Sequence, residues 1–128
     1  MILFFDRNMG TRIPQALRLL RVPVDVRYHQ QYYAQNAQDD DWLADCGAYG
    51  WVVIGKDYKF HKLPNELATL RLYEVGAFYL NAANLPTWEM VRIFARAYDR
   101  LILAAETTPK PFVYWIHANG LLKQQPIA

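Results

Sequence analysis

Carboxylates are the residues of this chain best placed for chemistry. Asp6 ends the apolar run Ile2-Leu3-Phe4-Phe5, Asp39-Asp40-Asp41 stand directly before Trp42-Leu43, and Asp57 closes the stretch Trp51-Val52-Val53-Ile54-Gly55-Lys56. A short, wholly apolar run bounded by polar residues reads as a strand covered on both faces, as in a parallel sheet. Acids at the ends of such strands, and at the starts of the helices that follow, share one rim, and ligands of open α/β sheets bind there. Carboxylates gathered on a rim repel one another, and one or more takes up a proton unless a cation compensates. Oxygen donors suit Mg2+ or Mn2+. A water held by such an ion can attack a phosphodiester whose oxygen the same ion polarises.

Each acid has a plainer reading beside this one. Asp39 is a natural N-cap, and Asp40 and Asp41 favour the positive end of a helix dipole without further purpose. Asp57 suits a turn after a strand. The plain readings weaken for the set, because all three places fall on one expected rim. Asn8 is either a turn former or a polar ligand acting through water. His29, His61 and His117 have no zinc-ligand spacing among them. His61 reads as a surface residue, although it stands close enough to Asp57 to touch a phosphate. Cys46 reads as a packed residue, and no glycine-rich phosphate loop or nucleophile elbow is present.

The elements that must carry these groups follow from periodicity. Ile13, Leu17 and Leu20 recur at helical spacing after Gly10-Thr11, and Pro23 ends that helix near Arg21. Val24 to Tyr28 alternates at period two and reads as a strand, while Gln30 to Gln38 reads as a loop over the strand ends. A helix opens at Asp39 with Trp42, Cys46 and Tyr49 on one face and stops at Gly50. A third strand precedes Asp57, the basic stretch Lys59 to Lys62 reads as a loop, and Pro64 starts a helix reaching about Leu72. Gly76 to Leu80 is a fourth strand. A long helix spans about Pro86 to Ala105 with Met90, Phe94, Ala97 and Leu101 inward, and Arg92, Arg96 and Arg100 form a solvated row. Phe112 to Ile116 is a fifth strand, and the tail from Asn119 reads as a loosely held end. Alternating strands and helices predict one domain over residues 1–128, a three-layer α/β/α sandwich with a mostly parallel, about five-stranded sheet.

Composition bounds the rest. With 53% hydrophobic and 20% charged residues in 128, the chain can bury a core and is not a disordered segment. A net charge of +2 does not by itself mark a nucleic-acid binder. One cysteine excludes an intramolecular disulfide framework and a multi-cysteine zinc site. No stretch has the length of a signal-peptide core or a membrane span, so a cytoplasmic protein is expected. Nine Tyr and four Trp read first as core residues and scattered surface rings, and that many also suit an oligomer interface or a base-stacking surface.

Taken together, Phe5-Asp6-Arg7-Asn8-Met9-Gly10, Asp39-Asp40-Asp41-Trp42-Leu43, Gly50 to Asp57 and Pro64-Asn65-Glu66 resemble the PIN-like nuclease superfamily, closest to its branch related to VapC toxins. Lys110-Pro111-Phe112-Val113-Tyr114 fits the same branch. The resemblance implies a Mg2+- or Mn2+-dependent endoribonuclease, the toxin half of a bacterial type II toxin–antitoxin pair, with RNA as substrate, a cognate antitoxin as partner and a homodimer as a further expectation. It implies metal-binding and catalytic roles for Asp6, Asp57 and one acid of the helix start, where Asp39 is preferred over Asp40 and Asp41. Family members commonly carry a fourth acid late in the chain. Here the fourth strand ends at Asn81 without a carboxylate, and Glu66 is the substitute the sequence offers. Arg7, Lys56 and Lys59 are the expected phosphate contacts.

Two other functions compete. A catalytically silent PIN-like module that binds RNA or protein fits the missing fourth acid. A receiver-like phosphoacceptor domain also places an aspartate after its third strand. That family, however, pairs acids after the first strand, where this chain has Asp6-Arg7, and places Lys-Pro after the fifth strand, where Lys110-Pro111 precedes it.

Overall fold

Ile2–Phe5 form β1, the strand around which the sheet is ordered. A computed structural model describes residues 1–56, 63–81 and 84–127 of the chain. After β1 come a single 3-10 turn at Arg7–Met9, α1 (Arg12–Leu19), β2 (Asp25–Tyr28) and a second 3-10 turn at His29–Gln31. Next are α2 (Asp39–Tyr49), β3 (Val52–Lys56), α3 (Leu63–Tyr73) and β4 (Gly76–Leu80). The long α4 (Thr87–Thr107), β5 (Phe112–Ile116) and β6 (Leu122–Gln125) complete the fold. The strand order is β2-β1-β3-β4-β5-β6. The first five strands are parallel and β6 runs antiparallel to β5.

Continuous apolar strands make sense only if both faces are covered, and they are. On one face Leu3, Phe5 and Ile54 meet Ile13 of α1 and Met90, Phe94, Ala97 and Leu101 of α4. On the other Phe4, Val53 and Ala77 meet Trp42, Leu43 and Cys46 of α2 and Leu70 of α3. The result is the expected three-layer sandwich, with one strand more than the sequence suggested. No helix among the described residues is long and apolar enough to cross a membrane.

Three local expectations are corrected. The tail is not loose: Gly120 N–H donates to the His117 carbonyl at 2.8 Å, His117 N–H donates to Leu121 at 2.9 Å, and the chain returns as β6. Asn119-Gly120 is a hairpin signal, overlooked because the strand it launches, Leu-Lys-Gln-Gln, is too polar to stand out by hydropathy. The N-cap of α2 is Gln38, so Asp39, Asp40 and Asp41 all lie in the first turn of the helix. Tyr49 does not share the buried face of Trp42 and Cys46; it is 66% exposed at the end of the helix, where Gly50 turns left-handed at φ 72°.

Candidate functional site

The strand order decides where ligands have access. From β1 the chain crosses outward to β2 and then returns past β1 to β3, so the direction of winding reverses between β1 and β3. The crevice beyond the carboxyl ends of those two strands is the binding position of doubly wound sheets. Asp6 stands in it. Its backbone N–H donates to Ile54 of β3 at 2.8 Å, and its carbonyl accepts the Met9 N–H at 3.0 Å to start the 3-10 turn. Backbone N–H groups of Arg7 and Asn8 donate to its carboxylate.

Gly55 of β3 and Asn8 of the turn after β1 shape the same crevice. A Cβ on Gly55 would lie 3.1 Å from the Tyr79 ring and 3.5 Å from the Asp6 Cβ, so the missing side chain lets both approach the strand. The Asn8 amide donates to the Lys56 carbonyl at 2.7 Å and its oxygen accepts the Lys56 N–H at 3.3 Å. That two-way pairing ties the turn after β1 to the last residue of β3. Asn8 acts here as a strut between the two strand ends.

Burial, supplemented by the negative charge of Asp39, pushes the Asp6 carboxyl up to about 6, against the backbone donors and the Arg7 charge that lower it. Asp39, in the first turn of α2, accepts a hydrogen bond from the Trp42 indole at 3.2 Å. Asp40 is turned elsewhere and accepts from the Thr69 hydroxyl of α3 at 3.3 Å. Asp41 is exposed. Of the three adjacent acids, Asp39 is the one whose charge is felt by Asp6. Glu66 lies in the first turn of α3, whose start faces the same rim. Asp57, Lys59 and His61 lie outside the described residues.

One rim residue escaped the sequence reading. His29 follows β2 as Asp6 follows β1, and Phe5 and Tyr28, the residues before them, are paired in register. It is 2% exposed, and its Nδ1 has no hydrogen-bond partner among the described residues. Its ring stands edge-on to Trp42 at 5.8 Å and tilted against Tyr33 at 5.3 Å. Burial, then the Arg7 charge, lower its pKa, while Asp39 opposes them. A search for zinc spacing passes over such a histidine; its place immediately after a strand was the available signal.

Arg7 is exposed and donates through its guanidinium to the Gln35 carbonyl, while its own carbonyl accepts from Gln30 at 3.4 Å. Lys56 is the last residue of β3. The Cys46 thiol is buried and pushed well above the usual thiol range, as a packed, unreactive cysteine should be.

Among the described residues no group of three or more His, Cys, Asp or Glu side chains is arranged to hold a metal ion. The donor chemistry nevertheless fits a divalent cation at Asp6 and Asp39. Both are hard oxygen donors, and a carboxylate whose proton affinity is raised by burial and a like charge is stabilised by a cation in place of that proton. Asp57, the residue directly after the last one of β3, is the sequence's candidate for a third donor.

A family model described as a PIN like domain matches residues 1–82. The match runs through the segments that carry Asp6, Asp39, Asp57 and Glu66 and stops short of Lys110 to Tyr114, on which the resemblance also drew. No curated protein and no solved structure matches the chain.

Proposed function

The chain belongs to the PIN-like domain family, commonly nucleases, and on that premise we propose that it is a Mg2+- or Mn2+-dependent endoribonuclease. The observation that carries this reading is the Asp6 carboxyl in the β1/β3 crevice, its proton affinity raised by burial and by Asp39. Asp6, Asp39 and Asp57 would hold the ion. A bound divalent ion supplies polarisation of a phosphodiester oxygen and an activated water. The chain's own residues provide the setting. Backbone N–H groups of Arg7 and Asn8 fix the Asp6 carboxylate, Trp42 fixes Asp39, and the Asn8 strut keeps the ends of β1 and β3 together. Arg7, Lys56 and Lys59 are the phosphate contacts in this reading. The biological setting we infer is the toxin half of a cytoplasmic toxin–antitoxin pair.

A second reading, a PIN-like module that binds without cutting, is favoured by one specific observation: β4 is followed by Asn81, where the family's fourth acid is expected. The match to a PIN-like domain speaks against a receiver-like phosphoacceptor.

Purified protein incubated with RNA and Mg2+ or Mn2+ should cleave it, chelator should stop the reaction, and Asp6→Asn or Asp57→Asn should lower the rate by about a hundredfold or more. Cleavage that survives both chelator and substitution overturns the mechanism. Metal binding without cleavage of any RNA selects the second reading.

A further inference from the structure

The α2–α3 layer covers the central strands, but no β2 residue joins the core beneath it. On that uncovered side a cavity of about 480 Å³ opens between Arg27, Tyr32, Tyr33, Asp45, Tyr49 and Trp51. Trp51 is its floor, 5% exposed and stacked on Phe4 with ring centroids 5.2 Å apart. Tyr32 and Tyr49 lie against Trp51 at 5.7 and 5.2 Å, yet are themselves 50% and 66% exposed. Rings anchored on one side and open on the other form a stacking platform.

The charges around the platform select the ligand. The Arg27 guanidinium sits 5.5 Å from the Trp51 ring centre and is paired with Asp25 at 3.0 Å. The pocket therefore holds a guanidinium whose charge is shared with Asp25, a planar fork of donors of the kind that pairs with phosphate. Lys110, bonded to the Gly50 carbonyl at 3.2 Å, adds positive charge beside Tyr49. Asp45 accepts the Tyr33 hydroxyl at 2.6 Å through one carboxylate oxygen, leaving the other as an acceptor. Planar rings, an acceptor for an N–H edge and flanking cations together suit a nucleobase joined to a phosphate.

We propose that this pocket is a second binding site for single-stranded RNA, stacking a base on Tyr49 and Tyr32 while Arg27 meets its phosphate. The choice of an RNA strand over another planar anion rests on the nuclease reading above. Position supports it: the His29–Gln31 turn has the acidic rim on one side, through His29 and the Gln30–Arg7 bond, and Tyr32 and Tyr33 on the other. The rings stand toward the amino ends of β1 and β3, at the far end of α2 from Asp39, so a strand leaving Asp6 across that turn would run down the β2 edge to them. Ile2, which also lines the pocket, is four residues before Asp6, or about 13 Å along an extended strand.

The test is binding of a short, unstructured, fluorescently labelled RNA of mixed sequence in excess chelator, followed by anisotropy. Tyr49→Ala should weaken binding about five- to a hundredfold, whereas Tyr49→Phe, which keeps the ring, should leave it nearly unchanged. Tyr49 is largely exposed, so neither change threatens the fold. No binding by the native chain, binding indifferent to Tyr49→Ala, or equal losses in both variants each overturns the site. So does a dimer in sedimentation that Tyr49→Ala converts to monomer, or preferential capture of an oligoarginine peptide. Cleavage is scored separately: Tyr49-dependent binding without any cleavage removes only the nuclease reading. Cleavage with Tyr49-independent binding removes only the ring site.

Discussion

Asp6 is pulled in two directions by its neighbours. Burial and the Asp39 carboxylate raise its pKa from 3.8 to about 6, and the backbone N–H groups of Arg7 and Asn8 hold it from going further. Between those two values the folded chain binds more protons than the unfolded one, so stability falls as pH rises through the window. The shift corresponds to about 3 kcal/mol of destabilisation at neutral pH, fully present above pH 6 and absent below about 4. Asp6→Asn should therefore stabilise the metal-free protein at pH 7 by up to about 3 kcal/mol and have little effect at pH 4. Urea unfolding of both proteins in chelator at the two pH values measures this, and equal gains at both would show that the carboxyl is not strained by charge. Asp39→Asn should give a smaller gain with the same sign, because Asp39 ranks below burial among the causes. Asp40→Asn, bonded to Thr69, should not alter the pH dependence of Asp6.

Two turns illustrate which elements could be read in advance. Helices α2 and α4 and the five parallel strands follow from apolar runs, periodicity and stops such as Gly50, and they stand where those signals put them. The β5–β6 hairpin depends on one dipeptide. Gly120 adopts φ +83°, and a Cβ there would lie 2.7 Å from the Arg96 Cβ and 3.0 Å from its backbone carbon. Arg96, an apparently idle member of a solvated arginine row, also donates to the Ala118 carbonyl at 3.0 Å and so fastens this turn to α4. Neither contact has a sequence pattern, since each joins residues more than twenty positions apart. Gly120→Ala should cost about 1–3 kcal/mol, from left-handed strain and the forced retreat of α4. Hydrogen exchange should show β6 opening first, with β1 and β3 still protected. An unchanged unfolding midpoint would contradict this placement of the turn. The Asn8 strut was half read in the same way: Asn8 stood out for its nearness to Asp6, but its partner Lys56 is 48 residues away. Asn8→Ala removes both hydrogen bonds to the Lys56 peptide and should cost about 1–3 kcal/mol.

Strand order is a property of the whole molecule that local patterns do not encode, and it is what turns separate acids into a site. Periodicity located a buried strand before Asp6 and another before Asp57, and the rule that ligands bind at strand ends gave the rim. The reversal of winding between β1 and β3 is what makes that rim a crevice, and it also brings His29 to the edge of Asp39. Because Asp6 is bonded to Ile54 and its turn is clamped to Lys56, its charge is carried by the two central strands, whose separation amounts to global unfolding. A cation that relieves that charge should therefore stabilise the entire fold. At a hundredfold excess over its Kd, Mg2+ or Mn2+ should contribute about 2.7 kcal/mol, a rise of about 10 °C in Tm for a chain of this size. The rise should shrink as pH falls below 6, where a proton competes for Asp6, and should be largely lost in Asp6→Asn. Differential scanning calorimetry with and without the ion at pH 7 and pH 5 decides the matter. A Tm shift that ignores both pH and Asp6→Asn would locate the cation elsewhere, and no shift at all would leave Asp6 a buried acid with only its proton for company.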